Sequence, residues 1–388
     1  MSEQPTRPQS MEIELIDVTP ARSGRGVSGA GDGSEPEPID LLLRRSPRTV
    51  VRGSFGHRLL TRGVPLLVAL LVAGSVFALP IIEGRLLTRI VALTVVLWGL
   101  DVQLGLGGQL SLGHGAFVGA GAYTAAVTMG VHHWPFPLAL VTAAAVGLIA
   151  GALVGLPSLR IQGQYLAMIT LGFAVAFPFL IRRFAWFTGG SDGPRFDYQF
   201  IPPGWMGLET RHYYRWAHLL ICVVALGCFA AVHWIVRGAL GRQIRAVADS
   251  PASAAAFGIR VGVVRVYTVS LSASVAAIGG ALLMFETPAV TAASFSAFFS
   301  LSLYAAAVFG GIGTLVGSFL GALLLIGSPW AVSKFGLRIA PEMIAGVVLV
   351  LFTLVARQGV VGLLRPWVQS WLVVVEPESV AIDKSEDR

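Results

Sequence analysis

The polar side chains best placed to contact a solute lie in one glycine-rich run, residues 105–123. In the first half of this run, three residues have side chains that can form hydrogen bonds: Gln109, Ser111 and His114. Gly115 and Gly119 are four residues apart, a spacing that lets two helix backbones approach closely. Glycine also permits unwound backbone, which at membrane depth is tolerated only against protein or a water-filled cavity. Two interpretations stay open: a path or hinge that faces a solute, and tight helix packing.

An acidic residue, Asp101, precedes this run near the end of an apolar segment. An acid inside a membrane span is a functional candidate by default. Because this one lies close to the predicted membrane edge, solvation of a helix end explains it equally well. On the functional interpretation, the predicted translocation path consists of Asp101, Gln109, Ser111 and His114.

The composition of the chain requires a lipid environment for these residues. Of its 388 residues, 55% are hydrophobic and only 13% are charged, whereas soluble domains carry about 25% charged residues. This excludes a soluble enzyme, a nucleic-acid-binding domain and a disordered protein. Apolar runs near the length of about 20 residues that spans a bilayer predict an all-α polytopic membrane protein with about 8–10 transmembrane helices. The candidate spans are 64–82, 87–105, 108–130, 136–157, 163–181, 216–236, 265–286, 296–309, 312–329 and 338–356.

The flanks and the arginines predict the domain organisation and the orientation. Residues 1–58, rich in Gly, Ser, Pro and charge, predict a disordered polar cytoplasmic arm; a transmembrane domain, 59–365, and a polar cytoplasmic tail, 366–388, follow. Arginine clusters before the first span and in the loop 237–265 place the N-terminus in the cytoplasm. Six predicted spans separate the two clusters, so they agree, whereas the arginines of the loop 182–215 disagree.

A repeat at an offset of 202 residues suggests two related halves, an architecture common among transporters. The matching residues are Gly108, Gly115, Gly119 and Ala120 in the first copy and Gly310, Gly317, Gly321 and Ala322 in the second. Because glycine is common in membrane helices, chance explains the matches equally well.

The loop 237–265 contains the signals of a short helix. Ser250 suits the N-cap, Pro251 the first helical position and Gly258 the residue just past the end. These signals predict about two helical turns on the cytoplasmic face, next to Arg242 and Arg245. A helix at this position would be accessible to a partner protein that binds the cytoplasmic face. The alternative is a connecting loop whose arginines bind lipid headgroups.

Motifs for catalysis and for ATP binding are missing. A Walker A loop needs a lysine followed by Ser or Thr, but Lys334 precedes Phe335 and Lys384 lies in the polar tail. The run 189–193 matches the letters of a hydrolase nucleophile elbow, which requires a strand before it and a helix after it; an apolar helix is predicted before it, and Pro194 follows. We therefore expect no catalytic residue, no metal site and no ATP hydrolysis by this chain.

Several segments, taken together and in order, resemble the branched-chain amino acid ABC transporter permeases of the LivM type. The resemblance spans about residues 86–360, and its segments are 107–117, 121–123, 160–171, 188–193, 241–259 and 308–317. It departs from the family pattern at three positions. An acid is frequent where Pro251 stands, Asn is more usual where Asp101 stands, and Pro178 interrupts the fifth span.

The resemblance implies an importer subunit of the inner membrane, with a second permease of the LivH type, two cytoplasmic ATPases and an extracytoplasmic solute-binding protein as partners. ATP would bind at the partner subunits, with no cofactor in this chain. Because ATPases of the family dock on a short cytoplasmic helix, the implied coupling residues are Arg242, Arg245, Asp249, Ser250, Pro251 and Gly258.

The implied cargo is a branched-chain or other hydrophobic amino acid, with urea or short-chain amides as the alternative. A self-sufficient channel or secondary carrier is the alternative of a different class. The predicted docking helix and the scarcity of acids within the spans argue against it.

Overall fold

The computed structural model describes residues 48–51, 72–75, 79–159, 164–190, 193–194, 213–285, 291–334, 336, 343, 346–347, 359–363 and 372–375. These residues are helical almost throughout, which confirms the predicted all-α polytopic fold class. The exception is a pair of short strands, β1 (Arg48–Val51) and β2 (Leu372–Val375), whose backbones pair in parallel. Apart from these strands, the predicted arm and tail lie outside the described residues.

Ten helices carry the described part of the membrane domain. They are α1 (Ile81–Asp101), α2 (His114–Ala125), α3 (Phe136–Gly155), α4 (Gln164–Arg183), α5 (Tyr213–Arg237), α6 (Ala239–Asp249), α7 (Pro251–Ala256), α8 (Val261–Met284), α9 (Ala297–Gly310) and α10 (Leu315–Lys334). A single further turn, Ala185–Thr188, follows α4.

Five helical segments are long and apolar enough to cross a membrane: Ile81–Leu106, Phe136–Leu159, Tyr165–Arg183, Tyr214–Arg237 and Val261–Met284. Shorter apolar helices lie at Ala297–Gly310 and Val316–Val332. The predicted spans 64–82 and 338–356 fall mostly outside the described residues. The count of about 8–10 spans therefore stays a prediction.

Two helices end in π turns, in which the hydrogen bond reaches five residues back. After α1, the N–H of Gly107 donates to the Val102 carbonyl (3.1 Å); after α2, the N–H of His132 donates to the Val127 carbonyl (3.2 Å). The π segments are Val102–Leu106 and Ala126–Val131. Such turns are rare and frequently found at functional sites.

Helix α8 lies at the centre of the bundle and packs against α1, α2 and α3. Small residues make these contacts, which lets the helix backbones approach closely. A Cβ on Gly99 of α1 would lie 2.7 Å from the Ser272 carbonyl oxygen of α8, and a Cβ on Gly147 of α3 would lie 2.6 Å from that of Ala273. The backbones of these helices are therefore in direct contact, and larger residues cannot replace the glycines without separating them.

One end of the bundle, here called the α6 end, gathers the turns after α1, α3 and α9. A Cβ on Gly105 would lie 2.6 Å from the Cα of Gly313, so the turn after α1 touches the loop between α9 and α10. Gly108 faces Ala248 of α6, and Gly262 of α8 faces Leu159 after α3.

The connections that follow α2, α4 and α8 lie at the opposite end of the bundle. The Tyr123 hydroxyl of α2 donates to the Gly190 carbonyl after α4 (3.3 Å). Phe136 at the start of α3 packs against Phe285 after α8, with ring centroids 4.8 Å apart. Successive connections thus lie at alternating ends, as helices that cross a bilayer one after another require.

Candidate functional site

Residues 107–113 form a non-helical segment that returns from the α6 end to the middle of the bundle. Gly108 has a positive φ of 59°, a conformation that suits glycine. The N–H of Gln109 donates to the Gln103 carbonyl (3.0 Å), and the N–H of Leu112 donates to the Thr170 hydroxyl of α4 (3.0 Å). The segment therefore satisfies the requirement that unwound backbone in a membrane be covered by protein.

His114 fixes the start of α2 through a directed chain of hydrogen bonds. The Ser272 hydroxyl of α8 donates to the Gly99 carbonyl of α1 (2.6 Å), so its oxygen accepts from Nε2–H of His114 (2.7 Å). With Nε2 protonated, Nδ1 of the neutral ring accepts the Ser111 hydroxyl proton (2.8 Å). The imidazole thus joins the unwound segment, α8 and α1.

Ser111 and His114, two predicted path residues, are each only 1% exposed. Their hydrogen bonds are made within the protein, and Phe117 packs its ring edge against the imidazole at 5.5 Å. This arrangement is the close helix packing that formed one of the two interpretations of the glycine-rich run. Their assignment to the translocation path stays a prediction.

Asp101, the third predicted path residue, joins α1 to the start of α10. One carboxylate oxygen accepts from the N–H of Gly313 (3.1 Å), and the other accepts the Ser318 hydroxyl proton. A negative charge at this place faces the positive end of the α10 helix dipole. The carboxylate therefore joins α1 to the loop before α10 and to its first turn, while the Thr314 side chain caps α10 by accepting from the N–H of Gly317 (3.2 Å).

Gln109, the fourth predicted path residue, has a buried side-chain oxygen without a hydrogen-bond partner. Gln103, which the sequence analysis did not select, is 0% exposed, and both polar atoms of its amide are unpartnered. The sequence offered a signal, since a glutamine interrupts the apolar run of α1 just before the glycines. Gln103 was missed because it precedes the glycine-rich run 105–123 and carries no charge.

The predicted short helix on the loop 237–265 is confirmed as α7. The Ser250 side chain accepts a hydrogen bond from the N–H of Ser253 (3.3 Å), Pro251 is the first helical residue, and Gly258 follows with φ 79°. A second helix, α6, precedes it and was not predicted separately. Its buried residues are Gly241, Ile244 and Val247.

The exposed face of α6 and α7 carries the predicted coupling residues at the α6 end. Arg242 donates to the Arg237 carbonyl (3.4 Å) and Arg245 to the Val236 carbonyl (3.1 Å). Cations are favourable at the C-terminus of a helix, so both arginines stabilise the end of α5. Asp249 is exposed as well. Phe257, which follows α7, is 88% exposed.

The buried face of α6 reaches the π turn after α1. Ile244 and Val247 form a cluster with Ala254 and Val264, and Leu106 of the π turn packs against this cluster. Helices α6 and α7 are thus attached to α8 and to the start of the unwound segment. The pair α6–α7 therefore contacts solvent on one face and the start of the unwound segment, next to the polar interior, on the other.

A cavity of about 340 Å³ lies between α9 and α10 and is lined by serines and apolar side chains. Ser302 and Ala306 of α9 face it, as do Leu325 and Ser328 of α10. None of the four predicted path residues lines this cavity.

The two copies of the sequence repeat both contain a break between helices. The first break separates α1 from α2, and the second, residues 311–314, separates α9 from α10. Of the matched glycines, Gly115 lies against Ser300 of α9 and Gly317 against the Gly310 carbonyl of α9. Gly119 instead lies against Phe177 of α4, whereas its match Gly321 lies against the Ala306 carbonyl of α9. Only one of these two pairs therefore shares a neighbouring helix.

The family model for the permease component of branched-chain amino acid transport systems matches residues 83–356. The chain belongs to this permease family. The matched region begins in α1 and includes the unwound segment, the polar residues around His114, and the pair α6–α7.

Two curated relatives of this permease share the printed name "High-affinity branched-chain amino acid transport system permease protein LivM". The Escherichia coli (strain K12) protein is 28% identical over 326 residues, which cover 77% of this chain and 75% of the relative. The Salmonella typhimurium protein is 27% identical over 290 residues, covering 69% and 67%. No solved structure matches the chain.

Proposed function

We propose that the chain is the membrane-spanning permease subunit of an ABC importer in the bacterial inner membrane, with its N-terminus in the cytoplasm. It would carry branched-chain or other hydrophobic amino acids, driven by two partner ATPases. The family match and the names of both relatives support this cargo. A second permease subunit and an extracytoplasmic solute-binding protein complete the proposed assembly.

The pair α6–α7 is the observation that carries the proposal. Its exposed face presents Arg242, Arg245 and Phe257 at one end of the bundle, while Ile244 and Val247 pack inward against Leu106. A partner that pushes or pulls on the exposed face would therefore move the turn at the start of the unwound segment. A channel that works without a partner would not need an exposed surface that transmits movement to this turn.

ATP-driven movement of the pair α6–α7 would switch the permease between two arrangements. The contacts at the α6 end supply the elements that can change: a π turn, glycine-to-glycine contacts between Gly105 and Gly313, and a non-helical segment. The rigid part is the packing of α8 against α1, α2 and α3. Alternating access in transporters commonly moves one part of a bundle against another around a fixed centre.

The direct test is solute uptake after deletion of the gene, with labelled leucine and labelled urea measured in parallel. We expect deletion to reduce the initial rate of leucine uptake, and complementation with the wild-type gene to restore it. Loss of urea uptake alone would move the cargo to amides. If neither rate changed, the proposed function would be wrong.

A variant control separates transport from membrane insertion. Complementation with Phe257→Ser should restore membrane abundance, because an exposed side chain contributes little to folding, but it should not restore leucine uptake. Full uptake by this variant would argue that α7 takes no part in coupling.

A further inference from the structure

Three buried side-chain polar atoms in the described part of the chain have no hydrogen-bond partner, and all three belong to Gln103 and Gln109. Buried amides are hydrogen-bonded in most proteins, and each exception calls for an explanation. An unpaired buried amide destabilises the arrangement in which it has no partner. The other buried polar groups beside this segment, Ser111, His114 and Ser272, are all paired.

Gln103 lies in the π turn, and the turn is packed closed against α8. A Cβ on Gly107 would lie 2.7 Å from Cγ2 of Thr268 and 2.8 Å from the Gln103 carbonyl oxygen. The backbone of the turn therefore touches α8 with no space for a side chain. Gln109 is held to the same turn, since its N–H donates to the Gln103 carbonyl (3.0 Å).

The same turn is also in contact with α6, and the other face of α6 is exposed. Leu106 packs on the cluster that contains Ile244 and Val247, and Gly108 faces Ala248 at 3.6 Å. On its other side, Gly105 touches Gly313 of the loop before α10. A displacement of α6 relative to α8 would therefore open this turn before it disturbed the glycine contacts deeper in the bundle.

We propose that residues 102–109 form a gate at the α6 end, and that Gln103 is the gate residue that binds the polar group of the carried solute. The inference rests on the proposed function. In the closed arrangement the Gln103 amide is sealed off without a partner, so the closed gate is held at a cost. In the open arrangement the amide gains a partner, either water or solute, and the cost is removed.

The amide group defines the chemical class of the ligand. Its nitrogen donates two hydrogen bonds, and its oxygen accepts, while the Gln109 oxygen supplies a further acceptor. A solute that both accepts and donates matches this set. The carboxylate and ammonium of an amino acid have this chemistry, and so do the carbonyl and amino groups of urea; the two cargoes are separated by uptake of labelled leucine and labelled urea through the wild-type transporter.

The test uses Gln103→Met in the full transporter, because Met has nearly the length of Gln and adapts to irregular packing. The variant removes the unpaired amide, so we expect the purified protein to melt at a temperature at least about 2 °C higher. We expect the apparent KM for the cargo that the wild type carries to rise about tenfold, as for the loss of one good hydrogen bond. The matched control is Thr94→Val in the preceding helix α1, whose hydroxyl bonds only the Ile90 carbonyl (2.7 Å); its KM should stay within about twofold of wild type.

Two results would overturn the gate. A Gln103→Met protein with unchanged KM and uptake would show that the amide does not meet the solute. A lower melting temperature in both Gln103→Met and Gln103→Leu would show that the amide already has a partner in the folded protein. Failure of the proposed function looks different, because the wild-type transporter itself would then carry neither leucine nor urea.

Discussion

His114 determines where α2 begins, since one neutral ring joins three parts of the chain. Its Nε2–H bonds Ser272 of α8, whose hydroxyl in turn bonds Gly99 of α1, while Nδ1 accepts from Ser111. All of these atoms lie in the interior, where a hydrogen bond is strong and a missing partner is expensive. The imidazole therefore contributes to the stability of the broken segment whatever part it takes in transport.

For His114→Ala we expect the free energy of unfolding to fall by about 3 kcal/mol, because the change leaves a cavity and an unpaired Ser111 hydroxyl. Ser272→Ala alone should cost less, and the double variant should cost less than the sum by at least about 0.5 kcal/mol, since the two residues share one bond. The measurement is denaturation of the detergent-purified protein. Strict additivity would contradict the hydrogen bond between them.

Asp101 offers a sharper test, since an amide can replace the carboxylate without losing either contact. In Asp101→Asn the side-chain oxygen accepts from Gly313, the side-chain nitrogen donates to the Ser318 oxygen, and the Ser318 proton turns to the Thr314 carbonyl at 3.3 Å. We therefore expect Asp101→Asn to keep uptake within about twofold, whereas Asp101→Ala should cost about 1–3 kcal/mol of stability.

The comparison of these two Asp101 variants decides between the interpretations that the sequence left open. A carboxylate that carries a proton or binds a cation would be inactivated by Asn, although the protein would remain stable. Uptake that is lost in Asp101→Asn at normal membrane abundance would therefore contradict a purely structural role and favour a functional acid.

At the residue level, the sequence could supply types but not partners. It placed Asp101, Ser111 and His114 together as polar groups near a glycine-rich run. It could not show that Asp101 meets Gly313, or that His114 meets Ser272, because these partners lie far along the chain and depend on how α8 and α10 pack. It showed Gln103 as a lone glutamine in an apolar run, but it could not show that this amide is buried without a partner.

Among the helices, α7 was predictable and α6 was not. Ser250, Pro251 and Gly258 are local signals of helix ends, and each acts through its own backbone. The start of α6 has no side-chain cap, since Gly238 precedes it, so its separation from α5 depends on tertiary contacts. The π turn after α1 was equally hidden, because its extra residue is accommodated by packing against Thr268 and α6.

The exposed face of α6–α7 makes a prediction about partner binding. Phe257→Ser should reduce co-purification of the ATPase subunits by at least about tenfold, since burying a phenylalanine contributes about 1.5–3 kcal/mol. The matched control is Arg182→Glu, an exposed residue at the opposite end of the bundle, which should leave co-purification unchanged. If the control had the larger effect, the ATPases would bind the other end.

At the scale of the whole molecule, the structure shows connections that alternate between the two ends of the bundle. The orientation of the bundle in the membrane is indicated by charge instead. The α6 end contains Arg237, Arg242 and Arg245 within one stretch of ten residues, followed by Arg260. Positive residues are retained in the cytoplasm during insertion. The arginines of the loop 182–215 favour the opposite orientation, so a direct measurement decides between the two.

Labelling of single cysteines with a membrane-impermeant maleimide determines the orientation. In a chain whose half-buried Cys222 and Cys228 are replaced by Ala, we expect Trp186→Cys to react in intact spheroplasts and Phe257→Cys to react only after permeabilisation. Both positions are more than 80% exposed and lie at opposite ends of the bundle, so access to the reagent depends on the side of the membrane. The reverse pattern would place α6–α7 outside the cell, where no cytoplasmic ATPase could reach them, and the proposed coupling would be wrong.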